Sequence, residues 1–276
     1  MPLRIDTNIS SLIARRSIAN HQKQIQSALS ELASGSRLNS AHSDPAQYAI
    51  SNELLAQTKS LDQARLNARM AQSLTQTAEG ALNEQNNILI RLRELAVGAA
   101  SDTMTDKDRS YANREFTQLI QEFSQIARAT RFGSKRLLTG ENNKYLFQVG
   151  PDAGGNSQIQ FTSDANTQAS AVGIDDLDIS EKDDARDALS SIDEALNQVA
   201  DIRARFGAVQ SRLNYAIDNL DVQKENEESA RSTIADTDVA RATSKLVKSQ
   251  ILNQAAVAVL AQANAGPKAA LSLIGE

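Results

Sequence analysis

Apolar residues recur at intervals of three and four along most of the chain, which is the period of an amphipathic α-helix. The most regular stripe comprises Leu189, Ile192, Leu196, Val199, Ile202, Phe206, Val209, Leu213, Ile217 and Leu220. A stripe sustained over about four heptads is typical of a helical bundle or coiled coil. The pattern therefore predicts a mainly α protein, an elongated antiparallel helical bundle or coiled coil.

Two further helices are predicted in the first hundred residues. The first covers residues 3–33 and ends before Gly35. The second begins at Pro45, because Asp44 suits the N-cap position and proline suits the first helical position. Its apolar stripe continues to about Val97, and Gly98 is expected to end it.

The middle of the chain combines a third helix, a hairpin and an acidic segment. Thr105 is predicted to open the third helix. Near residues 144–163 the apolar period changes to two, which predicts a small β-hairpin with its turn at residues 150–156. Residues 164–187 are predicted to be a linker. The carboxylates of its second half are expected to face solvent, because burying them would be costly.

The final helix, predicted from about Asp236 to Ala265, differs from the others. Nine of the eleven residues from Ile251 to Ala261 are apolar, so apolar side chains surround nearly the whole helix. A surface helix of a monomer would show a single stripe. The run is also well short of the roughly 20 residues that span a membrane. We therefore expect no membrane insertion and predict that other chains bury this helix.

The composition excludes several classes of function. The chain has no cysteine, so disulfides and thiol catalysis are ruled out. His21 and His42 have neither metal-ligand spacing nor a carboxylate partner, and both are expected to be exposed bystanders. There is no phosphate-binding loop, and a net charge of −5 without basic–aromatic interleaving argues against nucleic-acid binding. We predict no catalytic residue, metal or cofactor.

The charge is unevenly distributed along the chain. Residues 1–30 carry four bases against Asp6, and residues 239–276 carry four bases against Glu276, while the middle is strongly acidic. Each basic terminus alone could be an ordinary solvated face. Because both terminal segments have a net positive charge, we expect them to lie in the same environment. The first residues also lack the basic-then-apolar order of a secretory signal, so export would need another route.

Three segments resemble conserved blocks of bacterial flagellins. Residues 32–41, Leu-Ala-Ser-Gly-Ser-Arg-Leu-Asn-Ser-Ala, resemble the N-terminal signature. Residues 77–84 followed by 91–97 resemble the next block, and residues 249–264 followed by 271–273 resemble the C-terminal end. The blocks occur in family order without a large insertion between them.

This resemblance implies a structural subunit that polymerises into the flagellar filament for swimming motility. Residues 1–42 with 236–276 would form a terminal-helix coiled-coil domain, and residues 43–235 a rod-like helical domain that carries the hairpin. No large outer variable domain is expected. A hook–filament junction protein, which shares the terminal helices, is the alternative within this class. A secreted type III effector or enzyme is the alternative from another class.

The resemblance also implies partners and site residues. The chain would bind copies of itself, the hook-associated junction and capping proteins, the flagellar export apparatus and a chaperone, and would reach the cell exterior unfolded. A toll-like flagellin receptor would contact Arg91, Leu95 and Glu115. The subunit interface is predicted to contain Ile5, Ile9, Leu12, Ile25, Leu29, Leu32, Ile251, Leu252, Val259, Leu260, Leu271 and Leu273.

Overall fold

The computed structural model describes residues 7–42, 44–141 and 143–274, and the side chains of residues 143, 163 and 266–274 fall outside that description. The helices are α1 Ile9–Ser34, α2 Pro45–Ala99, α3 Asp106–Ala129, α4 Ala169–Val172, α5 Lys182–Ala235 and α6 Val239–Ile274. The strands are β1 Arg131–Phe132, β2 Lys135–Arg136, β3 Asn143–Gln148 and β4 Gln158–Ser163. The prediction of a mainly α protein is confirmed.

The chain forms two compact units. The first combines Met1–Ala56 with Asn226–Glu276, and the second is Gln57–Glu225. In the first unit α1 packs antiparallel against α6. The Asn8 side-chain amide donates to the carbonyl of Ala263 at 2.8 Å, and the Ser249 hydroxyl donates to the side-chain oxygen of Gln24 at 3.3 Å. These two bonds define the register of the pair.

The second unit has the main hydrophobic core. Its fully buried side chains include Phe116 of α3 and Phe206 of α5, together with leucines of α2 and two isoleucines between α4 and α5. Thr105 caps α3 as predicted, because its hydroxyl accepts from the Asp108 amide while the Asp108 carboxylate accepts from the Thr105 amide. The apolar stripes predicted for α2, α3 and α5 therefore pack together in this core.

The predicted β-hairpin is confirmed, and a second, smaller one accompanies it. Strands β3 and β4 pair antiparallel with Tyr145 opposite Phe161. Phe161 also meets Phe206 edge-on, with 4.9 Å between the ring centroids, which attaches the sheet to α5. Strands β1 and β2 were not predicted, since two-residue strands carry no measurable period.

Two predicted helix ends are wrong. Helix α2 continues through Gly98 to Ala99, and α6 continues through Gly266-Pro267 to Ile274. Proline within a helix removes one backbone hydrogen bond. The residues that follow, Lys268-Ala269-Ala270-Leu271, all have high helix propensity, which favours continuation of the helix.

The acidic segment at residues 164–187 is a linker only in part, because some of it packs on the core. Short helix α4 lies within residues 164–187, and Ile174 and Ile179 are fully buried against the core. Its carboxylates are nevertheless exposed as expected: Asp175, Asp176, Asp178, Glu181, Asp183, Asp184 and Asp187. The segment thus alternates buried apolar anchors with exposed acids.

Gln85 of α2 is a buried polar residue on which we base a stability prediction. Its side chain is fully buried, and its amide donates to the carbonyls of Phe123 at 3.0 Å and Thr167 at 3.2 Å. Replacement by Leu leaves these buried acceptors without that donor. We expect Gln85→Leu to lower the free energy of unfolding by about 1–3 kcal/mol in urea denaturation. The exposed neighbour substitution Glu84→Leu should change it by less than about 0.5 kcal/mol. Equal effects of both substitutions on the free energy of unfolding would contradict the role of Gln85 in bridging the carbonyls of Phe123 and Thr167.

Candidate assembly interface

Two chain connections meet at one end of the α1–α6 pair. Gly35 ends α1 in the left-handed conformation, with φ 68°, which glycine adopts without strain. The Arg37 amide donates to the carbonyl of Ala235 at 2.8 Å, and the Thr237 amide donates to the carbonyl of Gly35 at 3.0 Å. The Arg37 guanidinium also donates to the carbonyl of Ile234 at 2.6 Å. The signature at residues 32–41 thus ties the α1–α2 connection to the α5–α6 connection.

The seam between α1 and α6 is made mostly of small and polar residues. Buried and half-buried positions recur every three or four residues on both helices, as in a coiled coil. On α1 they include Ser11, Ala14, Ile18, His21, Ile25, Ala28 and Leu32, and on α6 they are Ala242, Leu246, Ser249, Asn253, Ala256, Leu260 and Ala263. Such a seam buries little apolar area, so the pair gains little stability from its own contacts.

The outward surface of the same pair carries large apolar side chains. We call it the outer apolar surface; it comprises Ile9, Leu12, Ile13, Leu29, Val239, Val247, Ile251, Leu252, Val257 and Val259. Ile251 is 60% exposed and Val259 is 59% exposed. Monomeric soluble proteins rarely expose contiguous apolar patches of this kind, and a large one marks an interaction site.

The predicted interface residues fall into three groups. Ile9, Leu12, Leu29, Ile251, Leu252 and Val259 belong to the outer apolar surface. Ile25, Leu32 and Leu260 are half-buried in the seam within the chain. Ile5 and the side chains of Leu271 and Leu273 lie outside the described residues.

Four members of the outer apolar surface were not predicted: Ile13, Val239, Val247 and Val257. Val247 lies one turn before Ile251, and Ile13 is adjacent to Leu12. The continuity of apolar residues around each helix was the signal that could have found them.

The expectation that His21 is an exposed bystander is wrong. His21 is half-buried in the seam, and its Nδ1 atom is buried without a hydrogen-bond partner among the described residues. The Oδ1 atom of Asn253 is likewise buried without a hydrogen-bond partner among the described residues. By the register of the Asn8–Ala263 and Gln24–Ser249 bonds, Asn253 lies within about one helical turn of His21. The two residues form a polar layer in the seam. His42, by contrast, is exposed.

The three predicted receptor contacts lie together on α2 and α3. The Arg91 guanidinium pairs with Glu115 across the two helices at 2.9 Å and with Glu94 within α2 at 3.0 Å. The hydrogen bonds that Arg91 donates to the carboxylates of Glu94 and Glu115 raise the pKa of Arg91 above its ordinary value. Leu95 is half-buried against the core of the second unit. The site is an exposed ion-pair network beside a leucine that also stabilises the fold.

Residues 7–42, 44–141 and 143–274 contain no group of three or more metal-ligating side chains. None of the helices in this part of the chain has the length and hydropathy needed to cross a bilayer.

Comparison with known proteins identifies the family. The model of the bacterial flagellin N-terminal helical region matches residues 5–143, and that of the C-terminal helical region matches residues 189–274. A flagellin of Halalkalibacterium halodurans is 39% identical over 270 residues, covering 98% of this chain and 99% of that protein. Flagellin D of Vibrio cholerae is 30% identical over an alignment of 377 residues that covers the whole of both chains.

Solved structures agree with this match. The crystal structure of Bacillus cereus flagellin covers 56% of this chain and 88% of its own, with a TM-score of 0.51 and 26% identity. A flagellar hook-associated protein from Vibrio parahaemolyticus shares the fold, with a TM-score of 0.59 over 70% of this chain and 100% of its own, at 14% identity. The family match covers more than half of the sequence, and the family is one of structural proteins. The chain therefore belongs to the bacterial flagellins and is a subunit of the flagellar filament.

Proposed function

We propose that this flagellin polymerises through the outer apolar surface of its α1–α6 pair, which other copies cover in the filament. The observation that carries the proposal is that small and polar residues fill much of the seam, while large apolar residues of the pair face outward. Alanine, serine and asparagine supply much of the seam, whereas Ile251, Val259 and their neighbours face outward. Buried apolar surface stabilises by about 25 cal/mol per Å², so covering these side chains supplies the free energy of assembly.

The proposal assigns different roles to two parts of the chain. Residues 1–42 with 236–276 act as the coiled-coil core domain of the filament, and residues 43–235 act as the surrounding rod-like domain. The alignment of 377 residues with the Vibrio flagellins is longer than the 276 residues of this chain. That difference supports the absence of a large outer variable domain.

The proposal includes a folding transition of the terminal helices during assembly. In a dilute monomer the outer apolar surface faces water, and the seam alone offsets little of the entropy of ordering two long helices. A weakly folded pair also suits export of an unfolded chain through the flagellar type III apparatus with a chaperone. The filament then lies outside the cell. Junction and capping proteins would bind the same helices at the two filament ends.

Hydrogen exchange of a verified monomer tests the folding transition. We expect weak protection of residues 9–34 and 239–265 and strong protection of the core helices between residues 57 and 225. The same amides in sedimented filaments should become protected. Strong protection of the terminal segments in the monomer would contradict assembly-coupled folding. Absence of filaments under any polymerising condition would contradict the proposed interface itself.

A second proposal concerns innate recognition. The ion pair between Arg91 and Glu115 places both predicted receptor contacts on one exposed surface, with Leu95 beside them. Ile90 is exposed next to this pair. A toll-like receptor reporter assay tests the proposal. Arg91→Ala should reduce signalling by about tenfold or more, whereas Arg93→Ala in the neighbouring pair with Asp193 should not.

A further inference from the structure

The short hairpin formed by β1 and β2 carries an unusual concentration of positive charge. Arg131 of β1 lies directly opposite Arg136 of β2, and both side chains are exposed. Like charges that face each other across a strand pair destabilise it. Arg128, Lys135 and Lys144 add to this charge, against the single carboxylate of Glu141.

Among the described residues, no carboxylate forms an ion pair with Arg131 or Arg136. Arg128, Lys135 and Lys144 also have no carboxylate partner among those residues. Lys135 lies over the ring of Tyr145 at 4.9 Å, and the Arg128 side chain donates to the carbonyl of Ser124. Phe132, between the two arginines, is 38% exposed. An arginine pair beside an exposed aromatic ring is suited to an acidic protein surface, because guanidinium groups bind carboxylates in a defined fork geometry.

The same unit contains the complementary surface. Residues 175–187 carry seven carboxylates against Lys182 and Arg186, and those two bases already pair with Asp102 and Asp183. Within the described residues no base pairs with Asp175, Asp176, Glu181, Asp184 or Asp187.

The acidic segment leads away from the basic hairpin along α3, and no ion pair joins the two surfaces among the described residues. The Ala169 amide donates to the Ser124 hydroxyl near the hairpin end of α3 at 3.0 Å. Asn113 near the start of α3 donates to Ser180 at 3.0 Å and accepts from the Ile179 amide, which fixes residues 179 and 180 at the other end of the helix. The basic hairpin directly follows the C-terminal end of α3. The helix has 24 residues and therefore separates its ends by roughly 36 Å.

We propose that the β1–β2 hairpin of one subunit binds the acidic segment 175–187 of another copy, as a head-to-tail contact along the filament. Such a contact is heterologous, because two different surfaces of one chain meet, and it therefore propagates into a polymer. It neutralises the opposed arginines and the unpaired carboxylates together. This inference rests on the proposed function and adds a second contact, separate from the outer apolar surface.

Charge reversal tests the contact. In one variant Arg131→Glu is combined with Arg136→Glu, and in the other Asp175→Lys is combined with Asp176→Lys. None of these four side chains makes a hydrogen bond or an ion pair with another described side chain, so both variants should keep the wild-type monomer melting temperature. Each variant alone removes most of the net charge of one surface, from +4 to 0 around the hairpin or from −5 to −1 in residues 175–187, which weakens association. At low salt we expect its critical concentration for polymerisation to rise by about tenfold or more.

Two combinations supply the matched controls. In an equimolar mixture the unchanged hairpin of one variant can meet the unchanged acidic segment of the other, which restores the native contact. The mixture should therefore polymerise better than either variant alone. The chain with all four substitutions exchanges the charges at residues 131, 136, 175 and 176 and keeps the net charge of −5, and it should polymerise better than either double variant. The acid-to-lysine variant lies closer to zero net charge than wild type. A defect in that variant therefore cannot come from general repulsion.

Cross-linking supplies an independent measurement, because the natural chain has no cysteine. A chain with Arg136→Cys and Asp176→Cys, treated with a short bismaleimide after polymerisation, should give a ladder of covalent oligomers. Each single-cysteine chain should give none. Wild-type critical concentrations for both reversed variants, or no ladder from filaments of the double-cysteine chain, would overturn the contact. Failure of the wild-type chain to polymerise would instead contradict the proposed function.

Discussion

The substitution Val259→Asp is expected to abolish filament formation while leaving the second unit folded. Val259 is 59% exposed on the outer apolar surface, so a carboxylate there is solvated in the monomer. Assembly would bury it among apolar side chains of neighbouring subunits. An unpaired buried charge costs several kcal/mol even after relaxation. Since every 1.4 kcal/mol changes an equilibrium constant tenfold, the critical concentration should rise by about a hundredfold or more.

Sedimentation of polymerised material and the melting temperature of the monomer are the two measurements. Val259→Ala is the matched control, because it shortens the side chain without adding charge and should still give filaments. Ile251→Asp, at another position of the outer apolar surface, should reproduce the loss. Normal filament yield from both aspartate variants would refute the burial of this surface by assembly. Leu260→Asp is less informative, since Leu260 lies in the seam within the chain.

The long helices were predictable because their apolar stripes persist over many turns. The stripe of α2 nevertheless steps by seven positions from Ala81 to Ile88, and Gln85 occupies the intermediate position. Its burial could have been inferred from that spacing. The β1–β2 hairpin could not have been predicted in this way, because its exposed charged residues have no apolar period. Local turn chemistry at Gly133, with φ 62°, was the one available signal.

The orientation of α1 and α6 was harder to predict. Of the residues predicted for the subunit interface, the structure turns Ile9, Leu12 and Ile251 outward but places Ile25, Leu32 and Leu260 in the seam. A helix with apolar residues on all sides has no preferred face by sequence alone. Which side meets the partner helix depends on register and close approach, and small residues favour close approach. The requirement for partners was therefore predictable, whereas the division between seam and outer surface was not.

Replacing the polar layer of the seam should stabilise the α1–α6 pair. His21 Nδ1 and Asn253 Oδ1 are buried without hydrogen-bond partners among the described residues. Each buried polar group left unpaired costs about 1–3 kcal/mol. The double substitution His21→Leu with Asn253→Leu removes both costs and adds apolar area to the seam. We expect amide protection of residues 9–34 and 239–265 in the monomer to rise by at least about tenfold.

A polar layer that weakens the pair is consistent with selection for something other than stability. In coiled coils a polar residue at a core position fixes register and orientation at a cost in stability. Leucines at both positions would make the seam more apolar, so that it tolerates other alignments of α1 against α6 and association between chains. We therefore expect the double variant to form soluble oligomers of mixed size in light scattering and to give fewer regular filaments. The matched surface variant Gln22→Leu with Gln250→Leu changes exposed positions of the same helices and should not increase the protection of the pair. Unchanged protection in the His21 and Asn253 double variant would show that the polar layer carries no energetic cost.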